Sequence, residues 1–245
     1  MPAFFIESRE IHGQSVTITG ELLHHLRASL RLQIDEIVQL TDEHRRRHHA
    51  VITELTRERL AARILSSTVG PERRQPEIFL GQALLKGEHM DWIVQKAAEL
   101  GVETLVPLIT RHTIVRPRQT RVDSQTARWQ RIAREAAQQS EQWQIPAVRP
   151  PCEAADFFMQ TQATGRLILV ERTHGTTLSD IAIPTGPTAS LAIAVGPEGG
   201  WQADEVALAE EQGFQSITLG STILRSETAS LAALAILQHR LGLLR

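Results

Sequence analysis

The sequence predicts an α/β protein with a small β-rich domain at its N-terminus and a larger domain built on a mostly parallel sheet. Three observations support this prediction. Residues 1–72 contain short segments of alternating apolar and polar residues, and residues 77–245 alternate strand-like and helix-like segments. The junction at residues 66–76 has the proline, glycine and charge of a linker. We place the boundary near residue 73, which gives domains of residues 1–72 and 73–245.

In the small domain, the alternation predicts three strands, at residues 15–19, 36–40 and 49–55. Residues 22–32 are predicted to form a helix or turn that carries Arg27 and Arg31. These two arginines stand about one helical turn apart, a spacing that lets them contact successive phosphates of a nucleic acid.

The larger domain is predicted from a regular succession of buried strands and amphipathic helices. Its predicted strands lie at residues 78–85, 104–109, 166–170, 191–195 and 215–219. Its predicted helices are residues 89–100, a helix capped by Asp123, residues 203–212, and a last helix with Ser226 as its N-cap. Only Ser230 is polar between residues 229 and 237, so we expect the last helix to be buried.

The composition limits the classes of protein that fit the chain. Lysine and arginine number 26 against 28 acids, for a net charge of −2, so an anionic partner has to be met by local basic patches. The single cysteine, Cys152, excludes an intramolecular disulfide and a cysteine-based zinc site, and we expect no metal. Because no secretory signal and no apolar run of about 18 residues occurs, we expect a soluble, cytoplasmic protein.

Residues 191–201, Leu-Ala-Ile-Ala-Val-Gly-Pro-Glu-Gly-Gly-Trp, predict a strand followed by a tight loop and a helix. Ligands of open α/β sheets bind at the carboxyl ends of strands, where helix N-termini converge. The spacing differs from G-x-G-x-x-G and from the phosphate-binding P-loop, which disfavours a nucleotide-phosphate cradle. An ordinary β-to-α turn is the alternative.

A second irregular loop precedes the last helix, at residues 219–230, Leu-Gly-Ser-Thr-Ile-Leu-Arg-Ser-Glu-Thr-Ala-Ser. Each of the two loops follows a predicted strand, contains glycine and carries an acid, and the second also carries Arg225. Because both strands belong to one predicted sheet, the two loops predict a single composite pocket.

The segment Val-Gly-Pro-Glu-Gly-Gly-Trp at 195–201, together with residues 219–229, resembles the RsmE family, the 16S ribosomal RNA uridine N3-methyltransferases of the knotted SPOUT superfamily. The resemblance extends to further blocks in the family's order, at residues 24–32, 81–86, 90–102, 106–108 and 128–140. It therefore covers nearly the whole chain.

This resemblance implies both a fold and a reaction. The implied fold is an N-terminal PUA-like β-barrel that associates with RNA, followed by a C-terminal SPOUT α/β domain with a parallel sheet and a trefoil knot in about residues 190–245. The implied reaction is methylation of uridine N3 in 16S rRNA of the small ribosomal subunit, with S-adenosyl-L-methionine as cofactor and m3U1498 as the family product. A homodimer is also implied, with the C-terminal helix extending into its contact.

The resemblance and the chemistry of N3 methylation together select candidate catalytic residues. A guanidinium does not deprotonate in proteins, so Arg225 can stabilise a uracil oxygen or a phosphate but cannot remove the N3 proton. Glu198 and Glu227 are the candidate bases, although Glu227 can equally serve the helix N-terminus and Glu198 can equally brace its loop. We expect the cofactor to contact main-chain groups of Gly196, Gly199, Gly200, Leu219, Gly220 and Leu224.

Basic residues in three further places are candidates for RNA contact, each with a solvated loop or surface charge as the alternative. The run Arg-Arg-Arg-His-His at 45–49 is predicted at a hairpin tip, and residues 111–121 contain four arginines and no acid. The candidate RNA-binding residues are Arg27, Arg31, Arg45, Arg46, Arg111, Arg116, Arg118 and Lys86.

Three departures from the family pattern leave other functions open. Ile34 stands where the family often has glycine, and Thr222 and Gln142 stand where it commonly has arginine. The losses at 222 and 142 weaken the prediction of the RNA target more than that of methyl transfer. The alternatives are a SPOUT ribose 2′-O-methyltransferase acting on another RNA and a non-catalytic RNA-binding assembly protein.

Overall fold

The computed structural model describes residues 3–29, 32–72, 76–171 and 176–244. The chain divides into two compact units. The N-terminal unit comprises Met1–Glu72 and Ala137–Ile145, and the C-terminal unit comprises Arg73–Ala136 and Pro146–Arg245. The addition of residues 137–145 to the first unit is one that no sequence pattern indicated.

The N-terminal unit is built on a six-stranded mixed sheet. Its strands are β1 (Ala3–Phe5), β2 (Ile11–His12), β3 (Ser15–Ile18), β4 (Ile37–Thr41), β5 (Arg46–Leu55) and β6 (Leu60–Val69), with helix α1 (Gly20–Ser29) after β3. The strand order is β1-β4-β5-β6-β3-β2, with β1 parallel to β4 and the remaining pairs antiparallel. The second half of β6 is exposed and rich in serine and threonine, so it lacks the alternation that would have predicted it.

The core of this unit consists of the residues on the inner faces of the strands and of α1. In β5, Ala50 and Ile52 are fully buried while Thr53 is exposed, as expected for a sheet with one covered face. At the turn before β4, Asp35 takes a φ of 70°. An L-residue therefore adopts the left-handed conformation at this turn.

The C-terminal unit contains a seven-stranded sheet in which every pair is parallel. Its strands are β7 (Glu77–Ala83), β8 (Thr104–Ile109), β9 (Ala147–Val148), β10 (Cys152–Glu153), β11 (Gly165–Leu169), β12 (Ser190–Val195) and β13 (Gln215–Ile217). The order is β10-β8-β7-β12-β11-β13, with β9 pairing with β8. The predicted parallel sheet is confirmed.

In the described part of the C-terminal unit, five α-helices accompany this sheet: α2 (His89–Glu99), α3 (Val122–Gln139), α4 (Ala154–Gln160), α5 (Ala203–Glu211) and α6 (Ser226–Arg240). They cover both faces, because successive strand residues belong to different apolar clusters. On β12, Ile193 joins the cluster of α2, α3 and α6, whereas Ala192 and Ala194 join that of α4 and α5. This alternation explains why the strand is apolar throughout.

Two predicted helix starts are wrong in detail. Helix α3 begins at Val122, so Asp123 lies within its first turn and is not the cap, because a short 3₁₀ turn at Gln119–Arg121 already leads into the helix. Helix α6 has Arg225 as its N-cap, and Ser226 is the first helical residue. The Ser226 hydroxyl is used instead in a tertiary contact with Gly196.

In the part of the chain that the structure describes, no helix combines the length and apolar character needed to cross a membrane.

Candidate functional site

Two loops of the C-terminal unit meet at the carboxyl ends of its strands. The glycine loop, residues 196–202, follows the central strand β12, and the arginine loop, residues 218–225, follows β13. The hydroxyl of Ser226, at the start of α6, donates a hydrogen bond to the carbonyl oxygen of Gly196. The predicted convergence of the two loops is thus made by a direct contact, at the end of the sheet where ligands bind in open α/β folds.

The glycine loop requires glycine for reasons of space and of backbone conformation. A Cβ on Gly196 would lie 2.9 Å from Nε1 of Trp201, and a Cβ on Gly199 would lie 3.1 Å from Cβ of His112. Gly200 has a φ of 70°, and its N–H donates to the carbonyl of Pro197 over 3.0 Å. A side chain at any of these positions would displace a neighbour or strain the backbone.

Trp201 anchors the end of this loop. Its indole Nε1–H donates to the carbonyl of Leu169 at the end of β11, over 2.9 Å. Its ring also packs against Phe158 of α4, with 5.7 Å between ring centroids. The loop is therefore held both by a hydrogen bond and by an aromatic contact.

A buried polar network fixes the other end of the glycine loop. Gln82 of β7 is fully buried, and its Nε2 donates to Oγ of Ser226 and to the carbonyl of Ala83, each over 3.0 Å. Oγ of Ser230 donates to Oε1 of Gln82. Together with the Ser226 contact to Gly196, this network joins β7, the glycine loop and α6.

Sequence reasoning missed Gln82 as part of the site. The available signals were that Gln82 is a polar residue in an otherwise apolar strand and that Ser230 is the only polar residue between 229 and 237. Buried polar side chains need partners, so two such positions within apolar segments indicate a pair.

Residues 111–121, which we term the basic loop, start directly beside the glycine loop. His112 approaches the carbonyl of Gly200 with Nδ1 at 3.0 Å and the side-chain amide nitrogen of Gln202 with Nε2 at 2.6 Å. The N–H of Arg111 donates to Oε1 of Glu205 over 3.0 Å. The structure thereby joins a candidate RNA segment to a candidate cofactor segment, and His112 is a second residue that sequence reasoning missed.

The three candidate catalytic side chains lie on the glycine loop, at the end of the arginine loop and at the start of α6, and their surroundings differ. Arg225 is exposed at the N-cap of α6, and Glu198 is exposed in the glycine loop. Glu227 lies in the first turn of α6, where its side chain is 13% exposed and Oε1 is 3.5 Å from Nδ1 of His89. Of the two candidate bases, Glu227 is therefore the more buried.

The six candidate cofactor residues divide evenly between the loops. Gly196, Gly199 and Gly200 form the turn described above. In the arginine loop, Gly220 has a φ of 135°, and Leu219 and Leu224 are half-buried. Leu219 also packs against the apolar cluster that includes α6.

Among the candidate RNA-binding residues of the N-terminal unit, Arg45 makes a hydrogen bond within the protein and Arg46 is exposed. The predicted hairpin tip lies between β4 and β5, but the run 45–49 continues into β5. The Arg45 guanidinium donates to the carbonyl of Pro71 over 2.9 Å, whereas Arg46 is exposed. Arg31 and the side chain of Arg27 lie outside the described residues.

Acids accompany part of the basic loop, although its own sequence contains none. A guanidinium nitrogen of Arg111 lies 3.5 Å from a carboxylate oxygen of Asp204 in α5. The corresponding distance between Arg116 and Glu153 of β10 is 3.8 Å. Arg118 is exposed, as is Lys86 after β7. The positive charge of the loop is consequently least compensated around Arg118, among the residues that the structure describes.

Cys152 does not supply a nucleophile. Burial, together with the smaller effect of the nearby carboxylates of Asp156 and Glu153, raises the pKa of its thiol to about 11. The thiol is therefore protonated at neutral pH, the state in which cysteine is inert.

Comparison with known proteins gives consistent matches along the chain. A family model described as an RNA methyltransferase domain matches residues 71–238, and one described as an RNA methyltransferase PUA domain matches residues 18–65. A Synechocystis protein named ribosomal RNA small subunit methyltransferase E is 34% identical over 233 residues, which cover 94% of this chain and 75% of the relative. The Bacillus subtilis protein of that name is 26% identical over 253 residues, which cover 100% of this chain and 99% of the relative.

A solved structure agrees with these sequence matches. The crystal structure of a ribosomal RNA small subunit methyltransferase E from Neisseria gonorrhoeae bound to S-adenosyl methionine matches with a TM-score of 0.87. The two chains are 34% identical, and the match covers 98% of each. Fold and sequence are therefore shared over almost the entire length.

Proposed function

The chain belongs to the ribosomal RNA small subunit methyltransferase E family, and we propose that it methylates N3 of a uridine in 16S ribosomal RNA with S-adenosyl-L-methionine as donor. The observation that carries this proposal is the hydrogen bond to Gly196 of the glycine loop from Ser226, the residue directly after the arginine loop, at the carboxyl ends of parallel strands. The family resemblance predicted from the two loop sequences is confirmed.

The two loops suit a nucleoside cofactor that lacks phosphates. They offer main-chain groups, tightly packed glycines and the half-buried leucines Leu219 and Leu224, and neither loop contains a lysine. Apolar surface combined with a few fixed polar groups is typical of sites for uncharged aromatic groups. We assign the cofactor to Gly196, Gly199, Gly200, Leu219, Gly220 and Leu224.

S-adenosyl-L-methionine, when bound, supplies a methyl group on a positively charged sulfur. The protein has to hold the uracil in line with that methyl group, and orientation of this kind is a large part of the catalysis of group transfer. Negative charge grows on the uracil oxygens as N3 loses its proton. We assign Arg225 to stabilise that charge, because its guanidinium is always protonated and lies exposed at the start of α6.

A base has to accept the N3 proton as the new N–C bond forms. We assign this role to Glu227 ahead of Glu198, since Glu227 is shielded from solvent and is held at the N-terminus of α6 with His89 beside it. A carboxylate at such a position is fixed in orientation before the substrate arrives. Glu198, which is exposed, is assigned to the face of the glycine loop that meets the RNA.

The RNA is bound through the exposed arginines and Lys86, in this proposal. Arg118, Arg46 and Lys86 are exposed and face no carboxylate in the described parts of the chain, so they are the strongest candidates for phosphate contacts. Arg111 and Arg116 each have an acid within 4 Å, and we expect smaller contributions from them. Arg27, Arg31 and Arg45 complete the proposed set.

Three further properties accompany the proposed function. The homodimer, the trefoil knot in about residues 190–245 and the cytoplasmic location stay predictions. The relatives named above act on ribosomal RNA of the small subunit, which is consistent with a cytoplasmic location.

Mapping the methylated atom tests the proposal directly. Small ribosomal subunits that lack the modification are incubated with the protein and labelled S-adenosyl-L-methionine, and the RNA is digested to nucleosides for mass spectrometry. We expect label in N3-methyluridine. Label in a 2′-O-methylated ribose would overturn the proposal in favour of ribose methylation, and cofactor binding without any label would favour a non-catalytic RNA-binding protein.

A further inference from the structure

We infer that His112 is a positioning residue for the cofactor, because it holds the glycine turn in one conformation from within the basic loop. This inference rests on the proposed function, in which the backbone of Gly199 and Gly200 contacts S-adenosyl-L-methionine. No sequence pattern singled out His112, and its role follows from three contacts.

The hydrogen bonds of His112 select one form of its ring. The carbonyl of Gly200 can only accept, so Nδ1, 3.0 Å away, has to carry the proton. The side-chain amide nitrogen of Gln202 can only donate, so Nε2, 2.6 Å away, has to be the acceptor. This assignment of the tautomer follows from the hydrogen-bond network, and both bonds are satisfied by a neutral imidazole.

The contact with Gly200 controls the orientation of a peptide plane. Gly200 has a φ of 70°, and glycine is free to adopt several backbone conformations of similar energy. Fixing its carbonyl oxygen fixes the peptide that joins Gly200 to Trp201. His112 also packs closely against the turn, since a Cβ on Gly199 would lie 3.1 Å from Cβ of His112 and 3.3 Å from Cγ of its ring.

His112 is itself presented by a rigid turn. Thr110 and Thr113 are buried, the N–H of Thr110 donates to Oγ1 of Thr113 over 2.8 Å, and the N–H of Thr113 lies 3.2 Å from the carbonyl of Thr110. The neighbouring Arg111 is tied through its N–H to Glu205, which also accepts the N–H of Gln202 over 3.0 Å. A rigid support of this kind is what makes a positioning contact effective.

The location of His112 couples two binding events. It belongs to the loop that carries the candidate phosphate-binding arginines, yet its ring contacts the loop that holds the cofactor. An RNA that displaces the basic loop therefore changes the affinity for the cofactor, and linkage requires that the cofactor changes the affinity for RNA by the same factor.

Two substitutions of nearly equal shape test the inference. His112→Asn keeps an N–H near the position of Nδ1, whereas His112→Leu has a similar outline without a donor. Binding of S-adenosyl-L-methionine is measured by calorimetry for the wild type and both variants, and hydrogen exchange is followed for residues 196–202. We expect His112→Leu to bind about tenfold more weakly with faster exchange, and His112→Asn to stay within about threefold of the wild type.

The outcomes separate this inference from the proposed function. A wild-type protein that fails to bind the cofactor would overturn the proposed function. A wild type that binds, with His112→Leu equal to it in affinity and exchange, would overturn the role of His112 alone. Equal losses in both variants, with unchanged thermal unfolding, would mean that ring packing and not the donated hydrogen bond holds the turn.

Discussion

The glycine loop and the arginine loop lie at the same end of one sheet but are held very differently. In the glycine loop, the carbonyls of Gly196 and Gly200 and the indole of Trp201 are all bound by other elements. In the arginine loop, the hydrogen bonds found among described residues involve Thr218, Gly220 and the Arg225 carbonyl, and Ile223 is 50% exposed. The difference indicates that the glycine loop has its conformation before any ligand binds, whereas the arginine loop presents its side chains to an incoming partner.

The largest expected effect concerns Arg225 in the arginine loop. We expect Arg225→Ala to lower methyl transfer by about 100-fold to 1000-fold, the usual loss when a preorganised charge stabiliser is removed. Because this side chain is exposed, cofactor affinity and thermal unfolding should remain close to those of the wild type. Single-turnover rates and calorimetry measure the two quantities separately, and a full loss of cofactor binding would contradict the assignment.

The second prediction concerns the anchor of the glycine loop. Gln82→Leu leaves the hydroxyls of Ser226 and Ser230 without their buried partner, so we expect a loss of about 2–4 kcal/mol in the free energy of unfolding. The midpoint temperature of thermal unfolding should fall by roughly 6–12 °C for a protein of this size. The matched control is Gln215→Leu, at an exposed position of β13. An equal loss in its free energy of unfolding would show that the buried network contributes no more stability than an exposed glutamine.

Two glycine substitutions distinguish why each loop contains glycine: close packing at Gly199 and backbone conformation at Gly220. Gly199→Ala brings a Cβ to 3.1 Å from His112, so we expect cofactor binding to weaken by about tenfold through displacement of the turn. Among the described residues, no atom lies within 4 Å of a Cβ placed on Gly220. Its φ of 135° leaves backbone strain of about 1–2 kcal/mol as the cost of Gly220→Ala. Calorimetry and chemical denaturation together separate the two effects.

The smallest expected effect is a difference in hydrogen exchange without any substitution. Amides of residues 196–202 should exchange more slowly than those of residues 219–224, because the glycine loop is anchored to other elements by part-buried hydrogen bonds. Addition of S-adenosyl-L-methionine should slow exchange in the arginine loop by the larger factor. Equal exchange in both loops of the unliganded protein would show that the glycine loop is no more rigid than the arginine loop.

Sequence periodicity predicted the parallel sheet because the longer strands of the C-terminal unit are mostly apolar and the helices between them have one apolar stripe. The buried face of α2 shows this well, with Met90, Ile93 and Val94 buried as its spacing requires. Helix α4 and the short strands β9 and β10 were missed, since a strand of two residues and a helix of seven carry too few positions for a period to be recognised.

Charge patterns were less informative about the RNA surface. The basic loop contains no acid in sequence, yet Asp204 and Glu153 are brought to Arg111 and Arg116 by other elements. In the cationic run at 45–49, the Arg45 guanidinium similarly donates a hydrogen bond to the carbonyl of Pro71 within the protein. Whether a charge is compensated depends on groups distant in the chain, which a local pattern does not contain.

The sequence by itself determined the fold class, the family and the two loops that carry the proposed site, because these depend on local periodicity and on contiguous motifs. Only the tertiary structure decided which side chains hold those loops. Gln82 and Ser226 are 144 positions apart, and His112 reaches Gly200 across 88 positions. Such contacts arise when parallel strands bring their carboxyl ends to one edge of a sheet, and no spacing along the chain reports them.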